Sequence, residues 1–355
     1  MKKIVFAVRE RFSHMGQYSG YDQLFKCLEK DHKDVIKLDS VWKGEHLGRI
    51  ERKVYSKFLR FTTGTPFYNL NSLKAEGQAL WHLLTNNPER LHISYLENNL
   101  GLGKMYKKLS NTKIIATIHQ PPSWWQSNNV DSSIINILDH LIVLDTPSKE
   151  YFSKYLNPNK IKIIRHGIDT SFFKPLNSEK SLPKFICLFA GQWLRNIDLL
   201  TSVIEYINSK NRNNIQFHLV YPRPNSLGKS KFEKLAACKN TFIYNNLSDE
   251  DLKNLYQNSS VFLVPLIDCT ANNGILEAMA CGLPIVTTPV GGIHDYVTED
   301  FAFLSHNIQQ ISNHIIELSE HPEEVNNRGL KARSYAETNF NWEVITKKTI
   351  DVYNI

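Results

Sequence analysis

Short runs of β-branched and apolar residues recur along the chain, separated by stretches whose apolar positions repeat every three to four residues. Alternation of this kind predicts βαβ units and a parallel sheet. In the first half the runs predict strands at Lys3–Val8, Val35–Leu38, Leu91–Tyr95, Lys113–Ile118, His140–Leu144 and Lys162–Arg165. A first helix is expected over Gly20–Leu28, after the polar loop Ser13–Ser19. A second series follows the polar, proline-containing stretch Pro175–Pro183, with strands at Phe185–Ala190, Ile215–Val220, Thr241–Tyr244, Val261–Val264, Pro284–Thr287 and Phe301–Leu304. Three helical patterns close the chain: Gln309–Leu318, Glu323–Phe340 and Trp342–Tyr353. The expected fold class is α/β, with a Rossmann-like domain over 1–176 and another from 177. Open α/β sheets bind ligands at the carboxyl ends of their strands, so a cleft between the two domains is the expected site.

Length agrees with two domains, since 355 residues exceed one ordinary core. With 42% hydrophobic and 22% charged residues, each half can bury a core. The formal charge of +7 suits phosphates, an acidic membrane surface or nucleic acid, and equally plain solubility. Five cysteines (Cys27, Cys187, Cys238, Cys269 and Cys281) form no C-x-x-C pair, which argues against a disulfide framework or zinc site and for a cytoplasmic protein. Four of the five are expected to be buried filler. The apolar run Ile4–Val8 in MKKIVFAVRERF is too short for a signal peptide, and no stretch approaches the roughly 20 residues of a membrane span. A soluble or peripheral protein is expected.

Chemistry concentrates in Val261–Tyr296, VFLVPLIDCTANNGILEAMACGLPIVTTPVGGIHDY. A strand ending at Pro265 leads through a loop to a helix expected to start at Asn272, Asn273 and Gly274. The first N–H groups of that helix have no partners within it, so a diphosphate there gains hydrogen bonds and a favourable dipole. Glu277, about one turn in, can accept two ribose hydroxyls; a helix-start acid favoured by the dipole is an equal reading. In Leu188–Leu200, LFAGQWLRNIDLL, a strand ends at Gly191 and a helix begins near Asn196. Arg195 would project from the loop between them, placed either to stabilise a leaving diphosphate or as a solvated surface residue. A third strand ends at His119 in ATIHQ, before Pro121 and Pro122. A neutral imidazole there can bond a hydroxyl, or be structural. Trp124 and Trp125 can form a sugar-stacking platform or an apolar anchor.

These segments together resemble the retaining glycosyltransferases of the GT-B fold, family four (glycosyl transferases group 1). That family carries E-x7-E followed by A-x-A-x-G-x-P-V, and Glu277-Ala278-Met279-Ala280-Cys281-Gly282-Leu283-Pro284 matches the second Glu and its tail. The first Glu is replaced by Cys269, beside Asp268, and the family's Gly-Phe-Gly by Thr270-Ala271-Asn272-Asn273. The family's Gly-Arg…Lys-Gly loop is matched at Gly191, with Gln192 at the Arg position and Arg195 in place of the Lys. Lys162–Pro175, KIIRHGIDTSFFKP, is similar to the family's I-x-N-G-V-D-x-x-x-F-x-P, with His166 at the Asn position. Asn341-Trp342 is similar to the closing F-[ST]-W.

The resemblance implies that Glu277 binds ribose, and that Gly191, Gln192, Thr270, Asn272, Asn273 and Gly274 line the donor. It implies Arg195 on the diphosphate, and Asp268 and His119 on the sugar. Gly16, Gly20, Glu97 and Trp124 fall on the acceptor side, and the loop before Ser248, which in NNLSDEDL reads as a helix cap, holds the base. A third segment, 339–355, is implied to return from the C-terminal domain, 177–338, to the N-terminal one. The reaction implied is retaining transfer from a UDP- or GDP-linked sugar to a glycan, lipid-linked or small-molecule acceptor in polysaccharide or glycoconjugate synthesis, with no metal or other cofactor. Lys43–Phe61, basic and amphipathic, is a candidate peripheral contact with the inner face of a membrane or a solvated helix face. No motif supports nucleic-acid binding. The rival readings are a nucleotide-sugar epimerase of the same fold and a non-catalytic nucleotide-sugar-binding module.

Overall fold

A computed structural model describes residues 4–8, 17–18, 20–31, 35–39, 53, 57, 65, 67–176, 184–221 and 229–355. The chain forms two compact units. The first comprises Met1–Ser13, Tyr21–His166 and Ile345–Ile355; the second comprises His14–Gly20 and Gly167–Val344. The expected boundary at 176–177 therefore lies inside the second unit.

In the first unit the elements run β1 (Ile4–Val8), α1 (Gln23–Asp31), β2 (Val35–Asp39), α2 (Leu70–Asn86), β3 (Arg90–Ile93), α3 (Gly103–Leu109), β4 (Lys113–Thr117), α4 (Pro122–Ser127), β5 (His140–Val143), α5 (Thr146–Phe152) and β6 (Ile161–Ile163). The sheet is parallel, in the order β2-β1-β3-β4-β5-β6. Every strand read from the apolar runs is present. The first helix begins later than the expected Gly20, because Tyr21 and Asp22 form a turn whose carbonyls accept from Leu24 and Phe25. The loop after β3 is braced from α2. There the buried Glu76 accepts from the Leu100 and Leu102 amides at 2.5 and 3.0 Å. Burial raises its pKa to about 7 against the pull of those amides.

The second unit runs β7 (Phe185–Ala190), α6 (Ile197–Ser209), β8 (Ile215–Val220), α7 (Lys229–Ala236), β9 (Thr241–Tyr244), α8 (Asp249–Gln257), β10 (Val261–Val264), α9 (Asn273–Ala280), β11 (Ile285–Thr287), β12 (Ala302–Leu304), α10 (Ile308–Glu320), α11 (Pro322–Asn339) and the start of α12 (Trp342–Tyr353). Its sheet, also parallel, has the order β12-β11-β10-β7-β8-β9. Chain direction across the sheet reverses between β7 and β10. A crevice opens at the carboxyl ends of two strands related in this way. The core is continuous from Phe185 to Phe340, and Phe262, Leu263 and Val264 of β10 are buried, as a strand covered on both faces requires.

Two contacts lock the back of this unit. Arg333 of α11 donates to the carbonyls of Thr170, Phe173 and Ala280 at 3.0, 2.7 and 2.6 Å. A Cβ at Gly329 would lie 2.3 Å from the Gly282 carbonyl oxygen, so only glycine lets α11 approach the turn after α9. Of the cysteines, Cys187, Cys269 and Cys281 are buried and Cys27 and Cys238 half-buried, Cys238 against the core, so three rather than the expected four are fully enclosed. Among the described residues no helix is long and apolar enough to cross a membrane. Of Lys43–Phe61, only Lys53 and Lys57 are described; both are exposed.

Candidate functional site

In the second unit the loops after β7 and β10 are stitched together at the switch point. Arg195 forms an antiparallel bridge with Leu266, and the Ile267 amide donates to the Leu194 carbonyl at 2.9 Å. Leu194 takes a left-handed backbone (φ 56°), a conformation costly for a branched residue and concentrated at functional loops. Gly191 (φ 96°) must be glycine. A Cβ there would also meet the Arg195 Nη2 at 2.7 Å.

Of the two readings of Arg195, the solvated surface residue does not describe its side chain, which is half-buried on its own loop. Its guanidinium folds over Gly191 and is anchored by three acceptors: Nε to the Ala190 carbonyl (3.2 Å), Nη1 to the Trp193 carbonyl (2.8 Å) and Nη2 to Asn272 Oδ1 (3.2 Å). A planar fork with fixed donors finds these carbonyls on the turn itself, and packing against them outweighs solvation of an extended side chain. Burial lowers its pKa to about 10 while Tyr256, Cys269 and Glu277 pull it back up, so it stays cationic at neutral pH.

Asn272 is the N-cap of α9, its Oδ1 accepting from the Ile275 amide at 3.3 Å as well as from Arg195. Its side chain thus ties the cation to the start of the helix that carries Glu277. Glu277, 5% exposed, accepts from the Tyr256 hydroxyl at 2.8 Å through Oε2. A surface acid at a helix start would be solvated; this one is held in place by a buried phenol from α8. Asn273 opens the helix, Gly274 packs with a hypothetical Cβ only 2.9 Å from Phe262, and Thr270 is buried in the same loop. Gln192 is half-buried beside Gly191.

Asp268 precedes Cys269, whose amide donates to its Oδ1 at 2.8 Å. Gly291 (φ 51°) backs this turn, with a hypothetical Cβ 2.3 Å from Asp268 Oδ1 and 2.2 Å from the Cys269 carbonyl. Cys269 is buried, its thiol on the Val290 carbonyl at 3.5 Å. Ser248 caps α8 by accepting from the Asp251 amide at 3.1 Å, as its position suggested. The Asp249 carboxylate accepts from the Gln17 amide at 2.6 Å, while Tyr18 stacks on Phe172 with centroids 3.6 Å apart. Gly20 is buried nearby in sequence, and Gly16 lies outside the described residues.

The first unit gathers its own group at the ends of β3 and β4. His119 donates from Nε2 to the Ser94 carbonyl (2.8 Å), which places the lone pair on Nδ1. Tyr95 stacks on the imidazole at 4.0 Å and Tyr21 meets its edge at 4.7 Å. Burial, and then the neighbouring His166, lower its pKa to about 3, so the ring is neutral. Glu97 is 1% exposed, and its Oε1 accepts from the His119 and Gln120 amides at 2.6 Å each. It therefore sets the backbone of the His119 loop. Trp125 is fully buried against Phe152, and Trp124, 8% exposed, lies on Phe67. Of the two readings the tryptophan pair allowed, the apolar anchor accounts for Trp125.

The fully buried His92 is likewise held neutral, with a pKa lowered to about 3 by burial. Its unfolded form binds a proton near pH 6.5 that the folded form refuses. Stability is therefore full above that pH and is lost on acidification, by on the order of 1.4 kcal/mol per pH unit. Urea unfolding of the first unit at pH 7 and pH 5 should show a fall of about 2 kcal/mol from this group, and a His92→Gln chain should show a shallower decline. Equal slopes would remove the assignment.

The arrangement of a half-buried cation, a capped helix start and a buried carboxylate at a parallel-sheet switch point has known parallels. Residues 184–321 match the model of a family described as glycosyl transferases group 1. The chain carries a glycosyl transferases group 1 domain. Over 271 residues it is 21% identical to the phosphatidylinositol N-acetylglucosaminyltransferase GPI3 subunit of Saccharomyces cerevisiae, covering 69% of this chain and 58% of that protein. It thus spans little more than half the length of that relative. It is 20% identical to an MMP alpha-(1->4)-mannosyltransferase of Mycolicibacterium hassiacum, covering 72% of this chain and 68% of the relative. The structure of HepE from Anabaena with UDP and glucose superposes with a TM-score of 0.74 at 14% identity, covering 100% of both chains. The fold is that of the GT-B glycosyltransferases, α/β with two Rossmann-like halves.

Two contributors in this glycosyl transferases group 1 domain escaped the sequence reading, Tyr256, which orients Glu277, and Gly291, which backs Asp268; in the first unit Tyr95, which faces His119, escaped it too. Tyr95 stands two residues before Glu97 and could have been found there. Tyr256 carried no local signal, because its partner lies 21 residues on.

Proposed function

We propose that the chain is a retaining, metal-independent glycosyltransferase that takes a sugar from a nucleoside diphosphate carrier. One observation carries this reading: Arg195, bonded to the cap of α9, shares that cap with the helix bearing Glu277. A cation beside the N-terminus of a helix, and a buried carboxylate one turn along it, suit a diphosphate followed by a ribose. The relatives named as glycosyltransferases, and the UDP in the HepE structure, support a nucleotide-sugar donor.

In this reading Arg195 and the α9 amides bear the charge that grows on the departing diphosphate. Glu277 binds the ribose and Asp268 orients the sugar, while His119, in the first unit, is assigned to bond a hydroxyl. No side chain among these is assigned as covalent nucleophile. The acceptor attacks on the face the diphosphate leaves, and the diphosphate takes its proton. Catalysis then rests on positioning and electrostatics. The acceptor is a glycan, a lipid-linked sugar or a small molecule.

Melting curves with UDP, GDP and ADP carriers test the donor. A matching carrier at 100 times its Kd adds about 2.7 kcal/mol to stability. Glu277→Ala should abolish that shift, and EDTA should leave transfer intact. No shift with any carrier would sink the proposal. A second reading draws on Cys269. It offers no carboxylate where the family has its first Glu, which favours a non-catalytic nucleotide-sugar-binding module. Donor that binds yet is neither transferred nor hydrolysed would select that module. Donor isomerised without any acceptor would select an epimerase.

A further inference from the structure

We propose that Tyr21 is a positioning residue for the His119 imidazole, and that it is held in register from the last turn of α12 by a buried hydrogen-bonded chain through Tyr353, His92 and Thr117. The functional part of this inference rests on the glycosyl-transfer reading; the coupling itself does not.

All four members belong to the first unit, and all are buried. The Tyr353 hydroxyl lies 2.6 Å from His92 Nδ1, His92 Nε2 lies 2.9 Å from Thr117 Oγ1, and Thr117 Oγ1 lies 3.2 Å from the Tyr21 hydroxyl. Positions 21, 92, 117 and 353 are far apart in sequence, so no local turn or cap brings these groups together. Four polar side chains in one apolar interior are costly unless each is bonded, and a fully bonded network fixes the orientation of its members.

The neutral imidazole of His92 has one N–H and one lone pair, so one neighbour must donate to it and the other must accept. Two polarities satisfy this. Either Tyr353 donates to Nδ1 while Nε2–H donates to Thr117, or Thr117 donates to Nε2 while Nδ1–H donates to Tyr353. In both, the chain runs unbroken, and moving one end changes the hydrogen-bond options at the other.

The Tyr21 end of this chain abuts the candidate site. Its ring meets His119 edge to face at 4.7 Å and 79°, with Tyr95 stacked on the same imidazole at 4.0 Å and 23°. The Ser94 carbonyl fixes His119 Nε2. The Ser94 carbonyl and the Tyr95 stack bear on the ring from two directions, and Tyr21 meets it from a third. A phenylalanine at 21 would fill the same space, but nothing would hold its far end. The hydroxyl of Tyr353 is therefore felt at His119 through three intervening side chains.

The test uses the full chain labelled with 15N in its histidine rings, with His119 assigned from a His119→Asn sample. Tyr353→Phe should move the ring-nitrogen signals of His92 and also those of His119. Thr117→Val, which breaks the chain at its middle with little change in volume, should do the same and serves if Tyr353→Phe does not fold. Thr349→Val, in the same helix but outside the chain, should leave His119 unmoved. With a donor that turns over, Tyr353→Phe should lower kcat about three- to tenfold, the loss expected for one neutral hydrogen bond, at unchanged donor KM. Tyr21→Phe combined with Tyr353→Phe should be no worse than Tyr21→Phe alone, as members of one network are non-additive. If the His92 signals move while those of His119 do not, the coupling is absent and the proposal is overturned. A chain that turns over no nucleotide sugar would defeat the glycosyl-transfer reading, while the ring spectra would still decide the coupling.

Discussion

Arg195→Ala should lower turnover by about 100- to 1,000-fold, the loss of about 2.7–4 kcal/mol seen when one preorganised charged donor is removed from a transition state. The guanidinium offers five N–H groups, and three are engaged by Ala190, Trp193 and Asn272. These anchors fix the plane of the fork, so its remaining donors meet a leaving diphosphate without reorganisation. Donor binding should weaken less than kcat, because negative charge on the bridging oxygen grows only as the glycosidic bond breaks. Arg195→Lys should not rescue. A lysine has one nitrogen and cannot hold the Ala190, Trp193 and Asn272 oxygens together while facing an anion. Single-turnover rates with saturating donor give the direct measurement, and a near-normal rate in Arg195→Ala would refute the role.

Trp125→Ala should destabilise the first unit by about 3–5 kcal/mol, as for other large aromatic truncations in a core. The ring is completely buried, packs edge-on against Phe152 at 5.2 Å and meets Trp124 at 6.1 Å. No small rearrangement of α4 fills the space it would leave. Because α4 directly follows His119 and Gln120, the loss should also loosen that loop. Urea unfolding followed at the first unit checks the prediction. The two units need not unfold together, so the measurement should resolve their transitions. Trp124→Ala should cost less, since its neighbour Phe67 is itself exposed. Equal effects would mean that the two tryptophans share one role.

All twelve strands were legible in the sequence, since buried parallel strands read as bare apolar runs such as FICLFA and VFLV. Helix starts with polar caps were equally legible: Asn196, Ser248 and Asn272 each accept from an amide two or three residues on. What failed was anything decided by a distant partner. The sequence leaves Arg195 open between a site residue and a solvated cation until Asn272, 77 residues away, is seen to accept from it. Glu97 reads as an acceptor-facing acid. Its local sequence gives no sign that the carboxylate accepts from the amides of His119 and Gln120, which belong to another strand end. The helix start at Gln23 was misplaced by three residues because Tyr21, apolar in pattern, is spent on a turn and on a bond to Thr117. Periodicity reports which face is buried, and carries no record of which side chain a polar group will meet.

The triple contact of Arg333 has a consequence for how the chain is made. Synthesis proceeds from the N-terminus, and domains generally fold as they emerge. The carbonyls of Thr170, Phe173 and Ala280 leave the ribosome long before their shared donor at position 333. Until that residue appears, the far end of α9 lacks its clamp, although every residue of the loops after β7 and β10 has already been translated. A nascent chain halted in α10 would hold Glu277, with its cap Asn272, on a helix still unsecured at its rear. Competence of this half should therefore arrive late and in a single step, with the passage of one arginine.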